Sequence, residues 1–165
     1  VYDDLLNLCV WTKHNSGMGS LYRSQHELVF VFKKGGASHT NNVQLGRYGR
    51  NRSNVWSYSG MNSFGAERDE LLASHPTVKP VSLVADAILD VTPRNGLVLD
   101  GFLGSGTTII AAEQIDRVGL GCEISPQYVE VAIKRFQAIS EEPVIHMATG
   151  LPFEELVLER QQNAE

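Results

Sequence analysis

No stretch of this 165-residue chain approaches the roughly 20 consecutive apolar residues that cross a bilayer, so no membrane-spanning helix is expected. The chain opens Val1-Tyr2-Asp3-Asp4, with acids where a secretory leader carries basic residues, and a cytoplasmic protein is expected. Cysteine is scarce. Cys9 and Cys122 each sit in an apolar, strand-like run and read as reduced, buried thiols rather than a disulfide. His14, His26, His39, His75 and His146 lack ligand spacing, so no metal site is expected. A further absence is local: from Leu28 to Ala66 there is no Asp or Glu, while Lys33, Lys34, Arg47, Arg50 and Arg52 all fall there. The acids gather near the end, at Glu141, Glu142, Glu154, Glu155, Glu159 and Glu165, and the net charge is −5. A negative total argues against nucleic acid as a ligand, but a basic stretch on an acidic chain is the pattern of a polyanion-binding face. A solvated loop gives the same pattern on charge alone.

The remaining composition, 42% apolar and 20% charged, is that of a globular domain of a size that fits one core. Asp3 to Leu8 reads as the end of a helix, Leu8-Cys9-Val10-Trp11 as a short buried strand and His26 to Lys34 as a strong strand, the two strands forming an antiparallel pair at a sheet edge. Gly35 to Gly65 is rich in Asn, Ser, Gly and Arg, with isolated Tyr48, Trp56, Tyr58 and Phe64. Such aromatics among arginines can stack on bases or pin the segment to its own domain. From Pro80 the pattern is α/β. Val81, Val84, Ala85 and Ile88 make one helical stripe. Leu97-Val98-Leu99 is a strand ending at Asp100, Thr107 to Gln114 a helix, and Val118 to Ile124 a second strand. Ser125 and Pro126 open a helix with Val129, Ala132, Ile133 and Phe136 on its apolar face. Val144 to Met147 reads as a third strand. Alternation of this kind implies a parallel sheet with right-handed crossovers.

The chemistry concentrates in Asp100-Gly101-Phe102-Leu103-Gly104-Ser105-Gly106-Thr107-Thr108, a strand running through a glycine turn into a helix. Glycines permit a tight turn and close approach, and the helix start presents N–H groups. A dinucleotide fold would place its first glycine directly after the strand and carry a third one. Here an acid holds the strand end, so the ligand carries a cationic or hydroxyl-rich part. Glu123, at the tip of the next strand, is placed to accept from ribose hydroxyls.

Together with His75-Pro76-Thr77-Val78-Lys79-Pro80, this turn resembles the bacterial and phage DNA amino-methyltransferases of the beta group, in which the target-reading segment precedes the cofactor motif. Leu21-Tyr22-Arg23-Ser24-Gln25-His26-Glu27 and Asn54-Val55-Trp56 resemble that family too, so the likeness runs from Trp11 to Phe153. It implies an α/β, Rossmann-like S-adenosylmethionine-dependent methyltransferase fold, incomplete here. The expected parts are an antiparallel edge hairpin (1–34), an irregular DNA-reading segment (35–74), a cofactor-binding part (75–153) and an acidic tail (154–165). The implied activity is methylation of adenine N6 or cytosine N4 in double-stranded DNA, as in restriction-modification.

The resemblance also implies residue roles. Thr77 and Lys79, with Pro80, would lie at the methionine carboxylate of the cofactor. Asp100, Phe102, Gly104, Ser105, Gly106 and Thr107 would surround its methionine end. Glu123 would hold the ribose, and Ile124 and Pro126 the adenine. Arg23, Arg47, Arg50, Arg52 and Asn54 would contact DNA, with Asn42 and Gln44 as further base readers. The family's Pro-Pro motif, which stacks on the flipped base, has no counterpart in this sequence. No catalytic residue is therefore expected in this chain, which reads as N-terminally truncated. A complementing N-terminal segment or a second copy would be its partner, supplying two strands between the Leu97 strand and the His26 hairpin. A non-catalytic cofactor- or DNA-binding subunit is the alternative.

Overall fold

The computed structural model describes residues 3–60, 78–140 and 142–162. Its first part is a sheet of β1 (Asp4–Thr12), β2 (His26–Lys33) and β3 (Val55–Ser57), in the order β2-β1-β3. Then come α1 (Val81–Val91), β4 (Leu97–Asp100), α2 (Thr107–Gln114), β5 (Val118–Gly121), α3 (Pro126–Gln137) and α4 (Phe153–Gln162). β4 and β5 form a second, two-stranded parallel sheet in register from Leu97↔Val118 to Asp100↔Gly121. Among the described residues no helix is long and apolar enough to cross a membrane.

The hairpin is antiparallel as expected, but Asp3 to Leu8 is not helical. β1 starts at Asp4 and pairs with β2 along its whole length, from Asp4↔Lys33 to Thr12↔His26, with an irregularity between Leu5 and Asn7. The alternating apolar residues of β2 give this segment a cross-strand partner, and that pairing overrides its local preference. The polar segment also contributes a strand: Val10, Trp11 and Thr12 pair in parallel with Val55, Trp56 and Ser57. Val144–Met147 forms no third strand. The chain turns back through Thr149 and Gly150 (φ 72°), Phe153 N–H donates to the Val144 carbonyl at 2.9 Å, and one bridge links Ile145 to Pro152. Both cysteines are free as expected, but only Cys9 is buried; Cys122 is exposed.

Helix α1 touches both sheets. Leu83 packs with Cys9, Trp11 and Trp56, and Ala87 joins that cluster. Ala85 and Ile88 pack with Ala111 of α2, with Val81, Val84, Val98 and Ile115 around them. Much of the apolar surface of both sheets is bare. Leu97 and Leu99 of β4 are 70% and 71% exposed, and Leu28, Phe30 and Phe32 of β2 are exposed as well. A cavity of about 430 Å³ lies between the sheets, lined by Leu28 and Val29 of β2, Leu83, Val84, Ala87 and Ile88 of α1, and Leu97 and Val98 of β4.

Leu83 anchors α1 to the first sheet. Leu83→Ala is expected to cost about 2–5 kcal/mol in urea unfolding, the range for a buried leucine truncated in a packed core.

Candidate functional site

The glycine turn is held between two carboxylates that come from neighbouring strand ends. Asp100 is the last residue of β4, and Glu123 follows β5 by two residues. The Phe102 N–H donates to Asp100 Oδ1 at 2.9 Å and the Thr108 hydroxyl to Oδ2 at 2.6 Å. The Gly104 N–H donates to Glu123 Oε2 at 2.7 Å and the Ser125 N–H to Oε1 at 2.9 Å. Backbone bonds complete the turn, Leu103 N–H to the Cys122 carbonyl at 2.9 Å and Gly106 N–H to the Leu103 carbonyl at 3.1 Å.

Each ionised carboxylate offers about four acceptor sites, so both keep capacity for the ammonium or hydroxyl hydrogens of a ligand. Phe102 (94% exposed) and Ile124 (97% exposed) flank them as apolar surface. That donor-poor, acceptor-rich pair beside apolar walls fits a nucleoside ligand with a cationic arm.

The remaining expected cofactor contacts divide. Thr77 lies outside the described residues, with His75 and Pro76. Lys79 stands just before α1, where Pro80 occupies the N-cap position. The Lys79 ammonium pairs with Glu27 at 3.1 Å, Lys13 pairs with the other Glu27 oxygen at 2.7 Å, and both ammoniums lie over the Trp11 ring. Ser105 and Thr107 are buried, with their hydroxyls turned to Arg135 of α3, so the backbone is what they offer a ligand. Gly106 has φ 83°, and a Cβ there would come within 2.8 Å of Ala132 Cβ. Its bareness serves helix packing at least as much as ligand approach. Ser125 occupies the α3 N-cap without a side-chain cap bond.

Of the residues expected at DNA, three are engaged within the fold. Arg52 pairs with Asp90 of α1 at 2.6 Å, lies 3.9 Å from Asp86 and covers the Trp56 ring. Burial works against its charge, yet Tyr58, Asp90 and Asp86 hold its pKa above the usual arginine value. Burial raises the Asp90 carboxyl, and Arg52 draws it back only part of the way. Arg52 therefore ties the polar segment to α1 through Nε and Nη1. Asn54 likewise donates to the Leu8 carbonyl at 2.9 Å and holds β3 beside β1. Asn42, named as a base reader, donates to the Leu89 and Thr92 carbonyls at 2.8 and 2.7 Å and closes the end of α1. Trp56 and Tyr58 pin the segment too, Tyr58 through its hydroxyl to Asp86.

Arg47 and Arg50 stay exposed on a 3-10 turn, Arg50 over the exposed Tyr48 ring, and Gln44 precedes them at φ 46°. Arg23 is exposed, donating to the Gly17 and Ser16 carbonyls. Sequence reasoning missed Thr108, Arg135 and Glu27. Thr108 was within reach, as the second residue of the helix that follows the turn. Nothing local marks the other two, because their partners come from distant elements.

Residues 4–134 match the DNA methylase family. The type II methyltransferase M.HpaI of Haemophilus parainfluenzae is 30% identical over 139 residues, spanning 76% of this chain and 43% of that protein. M.HinfI of Haemophilus influenzae is 32% identical over 155 residues, spanning 84% of this chain and 41% of that protein. Among solved structures, the M1.HpyAVI–SAM complex is similar at a TM-score of 0.61 and 25% identity, covering 79% of this chain and 61% of that one. The chain thus spans less than half the length of both curated relatives.

The Glu27 contact generates a pH prediction. Burial pushes the Glu27 carboxyl up, but Lys13 and Lys79 outweigh it and hold it below its ordinary 4.5. A lowered carboxyl contributes stability above its unfolded-state value and loses it as pH falls through the folded one. Urea midpoints between about pH 5 and pH 3 should therefore fall less steeply in Glu27→Gln than in the wild type.

Proposed function

The chain belongs to the DNA methylase family, and from that premise we propose that it is the cofactor-binding and DNA-reading part of a site-specific DNA methyltransferase. The observation that carries this reading is the pair of carboxylates, Asp100 and Glu123, that close one glycine turn from the ends of adjacent parallel strands. The cofactor is S-adenosylmethionine, which when bound supplies an electrophilic methyl group on a sulfonium.

The chain's own residues then bind and orient. Asp100 accepts from the ammonium of the methionine end, and the turn from Gly104 to Thr107 wraps it. Glu123 accepts from the ribose hydroxyls, and Ile124 with Phe102 keeps water from the apolar faces of the ligand. Lys79, already neutralised in part by Glu27, serves the carboxylate end. The acceptor is an exocyclic amine of adenine (N6) or cytosine (N4) in double-stranded DNA, within a cytoplasmic restriction-modification function. Arg23, Arg47 and Arg50 grip phosphate, and Gln44 is the remaining base reader.

A second reading, a module that works with a complementing chain or a second copy, has its own support. β2 pairs with β1 alone and β4 with β5 alone among the described residues, and both turn apolar side chains toward the same cavity. Parallel sheets are ordinarily covered on both faces.

A thermal melt tests the first reading. S-adenosylmethionine at about 100 times its dissociation constant should stabilise the chain by roughly 2.7 kcal/mol. The gain should vanish in Asp100→Ala, and a melt indifferent to the cofactor would refute the site. In the same melts, a midpoint that rises with protein concentration supports self-association, and one that does not counts against it. For DNA, Arg47→Ala with Arg50→Ala should weaken binding uniformly across sequences and shrink the salt slope by about 0.9 per lost phosphate contact. Arg52→Ala should instead lower stability, with the salt slope retained.

A further inference from the structure

Helix α3 meets the glycine turn in two places one helical turn apart. Ala132 lies flat against Gly106. Arg135, three residues on, reaches the residues on either side of that glycine. Its Nη1 donates to the main-chain carbonyl of Ser105, to Ser105 Oγ at 2.8 Å and to Thr107 Oγ1 at 3.3 Å. Ser105 and Thr107 are the buried polar side chains among the described residues, and one guanidinium serves both.

Arg135 is itself half-buried, and burial moves its pKa downward, with no carboxylate among the described residues offsetting it. A surface arginine would leave its charge in water, and a buried one ordinarily takes an acid partner. Here a half-buried charge is kept for contacts to one turn. All three contacts come from one terminal nitrogen, Nη1, whose two hydrogens are shared among a carbonyl and two hydroxyls on the two sides of the glycine.

We propose that Arg135 is the positioning residue of the cofactor turn. By hooking Ser105 and Thr107 on either side of Gly106, it fixes the backbone that opens α2 for the amino-acid end of the cofactor. Arg135 touches no ligand and acts through the turn. The inference rests on the reading of Gly104 to Thr107 as the wall around the methionine end.

The test uses two ligands that differ in that end. S-adenosylhomocysteine carries the amino-acid arm, and 5′-methylthioadenosine has the nucleoside without it. Calorimetric titrations of both into the whole chain compare wild type with Arg135→Gln. The expected result is a loss of about tenfold or more for S-adenosylhomocysteine, as for hydrogen bonds from a charged group, with binding of 5′-methylthioadenosine unchanged. Equal weakening of both ligands would mean that Arg135 only supports the fold, and unchanged binding of both would mean that the turn holds itself; either overturns the proposal. If Arg135→Gln loses its melting transition, Arg135→Met, which keeps the buried stem and removes every donor, carries the test, with the same selective loss expected and wild-type binding of both ligands overturning it. A wild-type chain that binds neither ligand would refute the cofactor site, and the positioning role with it.

Discussion

Among the described residues, two sheets that share no strand pairing are joined through one helix, and the geometry of everything else depends on how that helix is buried. α1 carries three stripes at helical spacing. Leu83 and Ala87 face the tryptophans of the first sheet. Val81, Val84, Ala85 and Ile88 face α2 and β4. Asp86 and Asp90 take Tyr58 and Arg52. Its C-terminal carbonyls are closed by Asn42 and by Arg117, which donates to the Thr92 carbonyl. A helix held by contacts on three stripes has little freedom to rotate, because a turn that improves one contact breaks another. The polar segment and the glycine turn are held in one frame by this fit.

That frame puts opposite electrostatic demands on its two ends. At the turn, two acids sit side by side at strand tips and are made tolerable by four hydrogen bonds from the chain itself. At the polar segment, the one deeply engaged arginine is matched by acids from α1, and the arginines left exposed are those without such partners. The chain separates the charges that are paired within the fold from the charges left to solvent, and the separation follows burial.

How far this could be read in advance depends on the range of the interactions. The run from β4 through the glycine turn to α2, β5 and α3 was legible because each step is local: a glycine where φ is positive, a proline at a helix start, an apolar stripe at the right spacing. Asp100 and Glu123 were legible for the same reason, as acids at strand ends. Asp3 to Leu8 was misread because its strand conformation comes from pairing with β2, which no short window contains. β3 escaped notice because three residues in a polar segment become a strand only beside β1. The fate of Arg52 was hidden in the same way. Charge pattern shows a cation and does not show the carboxylate that folding brings to it. Val144 to Met147 has the composition of a strand but a turn at Thr149-Gly150 that folds it onto itself.

The glycines of the site carry a consequence for how substitutions there would be interpreted. A Cβ on Gly106 would strike Ala132, and one on Gly121 would come within 2.6 Å of the Leu103 side chain. Both positions are bare because neighbouring elements press against them. A tolerance map made by saturating this region would mark them as forbidden beside Asp100 and Glu123, and intolerance alone would give all four the same rank. The first two would be failures of packing, and the other two would lose the hydrogen bonds that close the turn together with any contact to a ligand. Ligand affinity measured on folded variants is what separates the two kinds of intolerance.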